Sequence, residues 1–222
     1  MTAPTTIEEA RDEIVRVGTS LFHRGYVHAS AGNLSARVGD DYLITPTDAA
    51  LGFLDAERIA VVDTSGSQVA GDRASKTLRL HRRIYAAAPT ARFVIHTHST
   101  HLVALTLLGV WSEADILPPI TPYFVMKVGH VPLVPYQRPG HPAVAEHVAG
   151  LIDAHQQRGV PLGAVMLERL GPVVWGPNPT AAMAVLEELE ETARLWLLTQ
   201  RHPAPLTDSA IQDLKDTFNA PW

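Results

Sequence analysis

The chain contains no cysteine, which excludes disulfides, thiolate metal ligands and a cysteine nucleophile, so any metal ion must be held by nitrogen and oxygen. It also lacks an apolar run near the roughly 18 residues of a membrane span, and its opening, MTAPTTIEEARDE, is polar and acidic, unlike a secretory signal. A cytoplasmic protein without a membrane partner is expected. Positive charge is in deficit: 18 Lys and Arg stand against 23 Asp and Glu, for a net charge of −5, and aromatics make up only 6%. The aromatics do not interleave with basic residues, so no nucleic-acid surface is indicated. An anionic substrate would have to be attracted by local groups, not by the field of the whole protein.

What the chain does have is histidine, 11 in all, within 222 residues that are 46% hydrophobic. That length supports one sizeable core, read here as a single domain over residues 1–222. Ile7, Ala10, Ile14, Val17, Leu21 and Phe22 recur at helical spacing between Thr6 and Arg24, with Thr5 or Thr6 and Glu8 or Glu9 available as a capping box. Alternating Leu34, Ala36 and Val38, a Gly-Asp-Asp turn and then Tyr42 to Thr45 read as a hairpin. Further strands are expected at Ile59–Asp63, Phe93–His98, Val131–Tyr136 and Ala164–Leu167. Helices are expected at Leu78–Ala88, Ser99–Leu108, from Pro142 to about His155, and at Thr180–Gln200. Strands and helices alternate without a repeat or linker, which indicates an α/β or α+β class in about three layers, α-β-α.

The sharpest local pattern is HTHSTH at 96–101. On an extended chain, residues i and i+2 project the same way, so His96 and His98 can converge on one ion. Two packed core histidines would read the same, and His101 fits a capping or surface place in the next helix. AGNLS at 31–35 puts Gly32 and Asn33 where a backbone and a short amide can meet an oxyanion. ITPT at 44–47 and ASK at 74–76 add Thr47, Ser75 and Lys76. Each of these alone is a turn or a helix start; their weight lies in combination.

Taken in order, AGNLS, LITPT, the helix ending before FVIHTH, and GPVVWG resemble the class II aldolase/adducin family, from about residue 6 to residue 200. SKTLRLHRRIYAAAP, HTHSTHLVALTLLGVW, LPPITPYFVMKVGHVPLVPY and LEELEETARL are most similar to its 3-oxo-tetronate 4-phosphate decarboxylase branch. The resemblance implies a central, mainly antiparallel sheet flanked by helices, and a homotetramer with active sites at subunit interfaces. It implies a divalent metal, zinc being expected, on His96 and His98, and phosphate binding by Gly32, Asn33, Thr47, Ser75 and Lys76. Asp48 and Lys76 stand where the family often has Gly and Ser. Tyr123 matches a tyrosine that donates a proton from the neighbouring subunit.

Two positions depart from the pattern. Thr77 replaces the family's acidic residue, and Leu170, in ERLGP, replaces its third histidine. A threonine is no base near pH 7 and a leucine binds no metal. His130 in VGHVP is the preferred substitute ligand and Glu168 the second. The expected substrate is a small phosphorylated sugar acid, 3-oxo-tetronate 4-phosphate, converted to dihydroxyacetone phosphate and CO2 through a metal-stabilised enediolate. An aldolase or epimerase, and a non-catalytic adducin-like module, are the competing readings.

Overall fold

A computed structural model describes residues 2–222. Helix α1 (Ile7–His23) starts at a reciprocal capping box: Thr6 Oγ1 accepts from the Glu9 N–H at 3.1 Å, and the Glu9 carboxylate accepts from the Thr6 N–H at 3.3 Å. Its apolar stripe, Ala10, Ile14, Val17 and Leu21, is buried.

Among the described residues, eight strands form one sheet: β1 (Asn33–Val38), β2 (Asp41–Ile44), β3 (Ala60–Val62), β4 (Gln68–Ala70), β5 (Phe93–His96), β6 (Leu133–Val134), β7 (Ala164–Leu167) and β8 (Gly171–Gly176). Their order is β4-β3-β2-β1-β5-β8-β7-β6, antiparallel throughout except for the β6–β7 pair. The remaining helices are α2 (Leu78–Ala87), α3 (Thr100–Leu108), α4 (Pro142–Gln157), α5 (Pro179–Leu198) and α6 (Asp208–Phe218). The strand expected over Val131–Tyr136 shrinks to β6, because Pro132 and Pro135 remove backbone donors on either side of it. Helix α6 and edge strand β4 were not anticipated, nor was a π-helical turn at Phe124–Val128 within the Pro-rich stretch.

Strand periodicity sorts the core into two layers. Leu34 and Ala36 of β1 and Phe93 and Ile95 of β5 pack with the apolar faces of α1, α3 and α5. Val94, Val165, Val173 and Trp175 face the other way, against Leu80 and Ile84 of α2 and Val148 and Ile152 of α4. His96 has the same parity as Val94, so it points toward the α2/α4 side. Its cross-strand partner is Asn33.

On that side, α2 is tied to β1 by a buried polar chain. His81 Nε2 lies 2.7 Å from Asn33 Oδ1, His81 Nδ1 lies 2.7 Å from Ser35 Oγ, and Ser35 Oγ lies 2.8 Å from the Tyr85 hydroxyl. The amide oxygen can only accept, so Nε2–H donates to it. Nδ1 then accepts from Ser35, which in turn accepts from Tyr85. This order needs a neutral imidazole, and burial, helped by nearby His96, pushes His81 down from 6.5 to about 3.

The sign of the resulting pH dependence follows. A histidine with a folded pKa below its unfolded value contributes its full stability above about pH 6.5. It loses that stability as pH falls toward the folded value. The melting temperature should therefore decline from pH 7 to 4.5, above the usual carboxylate range, and His81→Gln should flatten that slope. Removing the imidazole should also cost about 1–3 kcal/mol at pH 7 by leaving buried partners unpaired. Thermal denaturation across pH 4–8 reads both effects; an unchanged slope in the variant would refute the assignment.

Candidate functional site

The end of β5 opens into a cleft of about 180 Å³ between the sheet, the start of α2 and the loop that leads into α4. His96 is buried. Its Nδ1–H donates to the Pro172 carbonyl at 2.9 Å, which leaves the Nε2 lone pair free. His98 lies just past the strand end, and the two ring centroids are 5.1 Å apart at 61°. Two imidazoles bound to one ion at about 2.0–2.1 Å and a tetrahedral angle would have centroids about 5 Å apart. Burial first, then His98, pushes His96 down to about 4, and burial followed by His28 lowers His98. Both rings are therefore neutral near pH 7, as metal ligation requires.

The pair fits a divalent ion, but the third donor does not come from where it was expected. Leu170 lines the cleft at the position the resemblance gives to a histidine. His130, the expected substitute, does not supply that donor. It lies outside the cleft, where both oxygens of Asp115 are 2.9 Å from its Nδ1 and its ring stacks on Trp222 at 4.4 Å. Glu168 is also spoken for, accepting the Tyr136 N–H at 2.9 Å. Among the described residues, no three His, Asp or Glu side chains stand close enough, as placed, to hold an ion.

The expected anion-binding residues do come together. Gly32, Asn33, Thr47, Ser75 and Lys76 all line the cleft. Gly32 has φ 83°, and a Cβ there would fall 2.7 Å from the His96 carbonyl oxygen, so only glycine lets this loop lie on the strand end. Since His81 occupies Asn33 Oδ1, the Asn33 amide NH2 remains free to donate. Asp48 holds φ 58°, a conformation glycine adopts without strain, and its carboxylate is 3.8 Å from the Lys76 ammonium. Among the described residues the Thr77 hydroxyl bonds only that of Ser75, at 2.9 Å. Tyr123 lies outside the cleft and is 59% exposed. His101 has the capping environment expected of it, with its N–H and Nδ1 both on Glu190.

The opposite wall was missed. Arg138 and His141 come from the connection between β6 and α4, and Arg79 from α2. Arg79 pairs with Glu146 at 3.0 Å, whereas the Arg138 guanidinium has no hydrogen-bond or ion-pair partner among the described residues. Gly140 brings this wall against Lys76: a Cβ on it would sit 3.5 Å from Lys76 Cβ. In sequence RPGHP reads only as a turn before a helix, and nothing local reports a contact so distant along the chain. Leu80, Val144, Leu167 and Leu170 complete an apolar flank.

The Class II Aldolase and Adducin N-terminal domain model matches residues 12–197. The 3-oxo-tetronate 4-phosphate decarboxylase of Cupriavidus necator is 56% identical over 223 residues, covering 98% of this chain and 100% of the relative. That of Escherichia coli K12 is 40% identical, covering 94% and 96%. The L-fuculose phosphate aldolase of Methanocaldococcus jannaschii is more distant, at 31% identity over 85% of this chain and 96% of its own. The crystal structure of YgbL from Klebsiella pneumoniae superposes with a TM-score of 0.86 at 41% identity, covering 95% of this chain and all of that one. Among the described residues no helix is long and apolar enough to cross a membrane. With a domain match across most of its length and near full-length relatives on the same sheet, the chain belongs to the class II aldolase and adducin family.

Proposed function

We propose that this protein is a metal-dependent carbon–carbon lyase that converts 3-oxo-tetronate 4-phosphate to dihydroxyacetone phosphate and CO2. The observation that carries the proposal is the pair of neutral imidazoles, His96 and His98, opening onto the same cleft as the Gly32, Asn33, Thr47, Ser75 and Lys76 anion loop. The decarboxylase names of the relatives supply the substrate. The family is generally dependent on a divalent metal, and zinc suits imidazole donors without thiolates.

In a 3-oxo acid the C1–C2 bond breaks toward an existing electron sink. The bonding pair moves to C2 and delocalises onto the C3 oxygen as CO2 departs, and a proton then adds at C2. A divalent ion on His96 and His98, when bound, supplies positive charge for the charge that develops at C3. His96 keeps its lone pair presented because Pro172 holds Nδ1–H. The Gly32 backbone, the Asn33 amide, the Thr47 and Ser75 hydroxyls and the Lys76 ammonium bind the phosphate. Arg138, a cation on the facing wall without an ion-pair partner among the described residues, attracts the carboxylate- and phosphate-bearing substrate and limits its orientations. The flank of Leu80, Val144, Leu167 and Leu170 removes water from a carboxylate that becomes neutral CO2.

No step in this sequence needs a base to remove a carbon-bound proton. Aldol synthesis does need one, yet Thr77 has no ionisable group and Asp48, a carboxylate lining the cleft, faces Lys76. The proton at C2 comes from Tyr123 of a neighbouring copy in a homotetramer, a role compatible with its exposure on its own chain.

Formation of dihydroxyacetone phosphate from the keto acid, followed by a coupled reductase, tests the reaction. His96→Ala and His98→Ala should each lower bound metal strongly by elemental analysis, and turnover on the order of 10²-fold or more. Retention of the parent's metal in both variants would end the metal assignment. Lys76→Ala should raise KM by roughly 10- to 100-fold, the equivalent of one charge-assisted hydrogen bond, with a much smaller change in kcat. Equal activity on phosphorylated and unphosphorylated keto acid would remove the phosphate site.

A further inference from the structure

We infer that His28 supplies the third imidazole of the metal site. The inference rests on the metal reading above and goes beyond it, because residue 28 lies in the loop between α1 and β1, far in sequence from Leu170. The His28 ring has no hydrogen bond among the described residues. Its one ring contact is with His98, at 6.3 Å between centroids and 76° between planes. Rings sharing an ion stand about 5 Å apart, so the His28 ring must close on His98 by about 1 Å and turn a nitrogen toward the point that His96 and His98 share. His28 is exposed, and a turn about its side-chain torsions covers that distance.

The backbone that carries His28 is already anchored at the site. Val27 is buried, and its Cγ1 would lie 3.0 Å from a Cβ on Gly32, the residue that packs on the His96 carbonyl. The His28 carbonyl accepts the Ala31 N–H at 2.9 Å, and Ala29 at φ 47° turns the chain between them. The loop is thus pinned on both sides of His28 and leaves only the ring to move. Competing donors are engaged elsewhere: His130 with Asp115, His101 with Glu190, and Glu168 with the Tyr136 N–H. His141 caps α4 through Nδ1, accepting the Ala143 N–H at 3.2 Å, and makes no ring contact with His96 or His98 among the described residues. A set of His28, His96 and His98 gives three protein nitrogens and one position open to substrate or water, the composition of a catalytic site.

The experiment measures Co2+ affinity by chelator competition, with the visible absorption of the bound ion as a second readout, for the parent, His28→Ala, His96→Ala and His130→Ala. His28→Ala should weaken Co2+ binding by tenfold to a hundredfold and reduce the tetrahedral absorption, with no change in the melting temperature of the metal-free protein. His130→Ala should bind as the parent does. Adding Leu170→His to the His28→Ala protein should restore affinity, since residue 170 faces the same cleft. Parent-like affinity and spectrum in His28→Ala, with loss in His96→Ala, would overturn the role of His28 and leave the two-histidine pair standing. Equal affinity of the parent and His96→Ala would bring down the metal reading and this inference together.

Discussion

The site depends on how closely two glycines let the chain approach the end of β5. Gly32 lays the loop before β1 on the His96 carbonyl, and Gly171, at φ 127°, lays the start of β8 on the Thr97 carbonyl. A side chain at either place would collide with backbone, which cannot move aside without breaking the β1–β5 or β5–β8 ladder. With both glycines in place, His96 and His98 are flanked by the loop that carries Gly32 and Asn33 on one edge and by Leu170 on the other. The two neighbouring strands thereby set what surrounds the histidines: hydrogen-bond donors on one side, an aliphatic surface on the other.

Charge is handled by the same economy of position. The chain is acidic as a whole, so attraction of an anion relies on a few cations held at the cleft. Lys76 is loosely opposed by Asp48, Arg79 is engaged by Glu146, and Arg138 has no partner among the described residues. The two exposed pairs contribute little to stability, but they rank the cations by availability to a ligand. The histidines behind them are kept uncharged by burial. They add lone pairs and a fixed hydrogen-bond order to the cleft without adding charge.

How much of this was readable in the sequence depended on the range of the interaction concerned. Period and capping are local, so α1, the β1–β2 hairpin and the place of α2 and α5 follow from spacing alone, as does the same-side projection of His96 and His98. Gly32, Asn33, Thr47, Ser75 and Lys76 were recognisable because each sits in a short motif. Arg138 and His28 carry no such mark: RPGHP and YVHAS read as ordinary loops, and only the folded chain puts Arg138 at the cleft and the His28 ring beside His98. His130 shows the opposite failure. Its segment was expected near the site, but Asp115 and Trp222 supply a nearer set of partners, and a histidine's company cannot be read from its neighbours in sequence.

The hydrogen bond from His96 to the Pro172 carbonyl joins residues 76 positions apart. At ribosomal speeds of 5–20 residues per second, roughly 4 to 15 s separate the synthesis of one partner from that of the other. Over that interval β5 has no β8 beside it, and nothing selects which ring nitrogen of His96 carries the proton. A nascent chain therefore displays HTHSTH with either ring nitrogen of His96 open to the proton, and the arrival of β8 beside β5 is the event that fixes one tautomer.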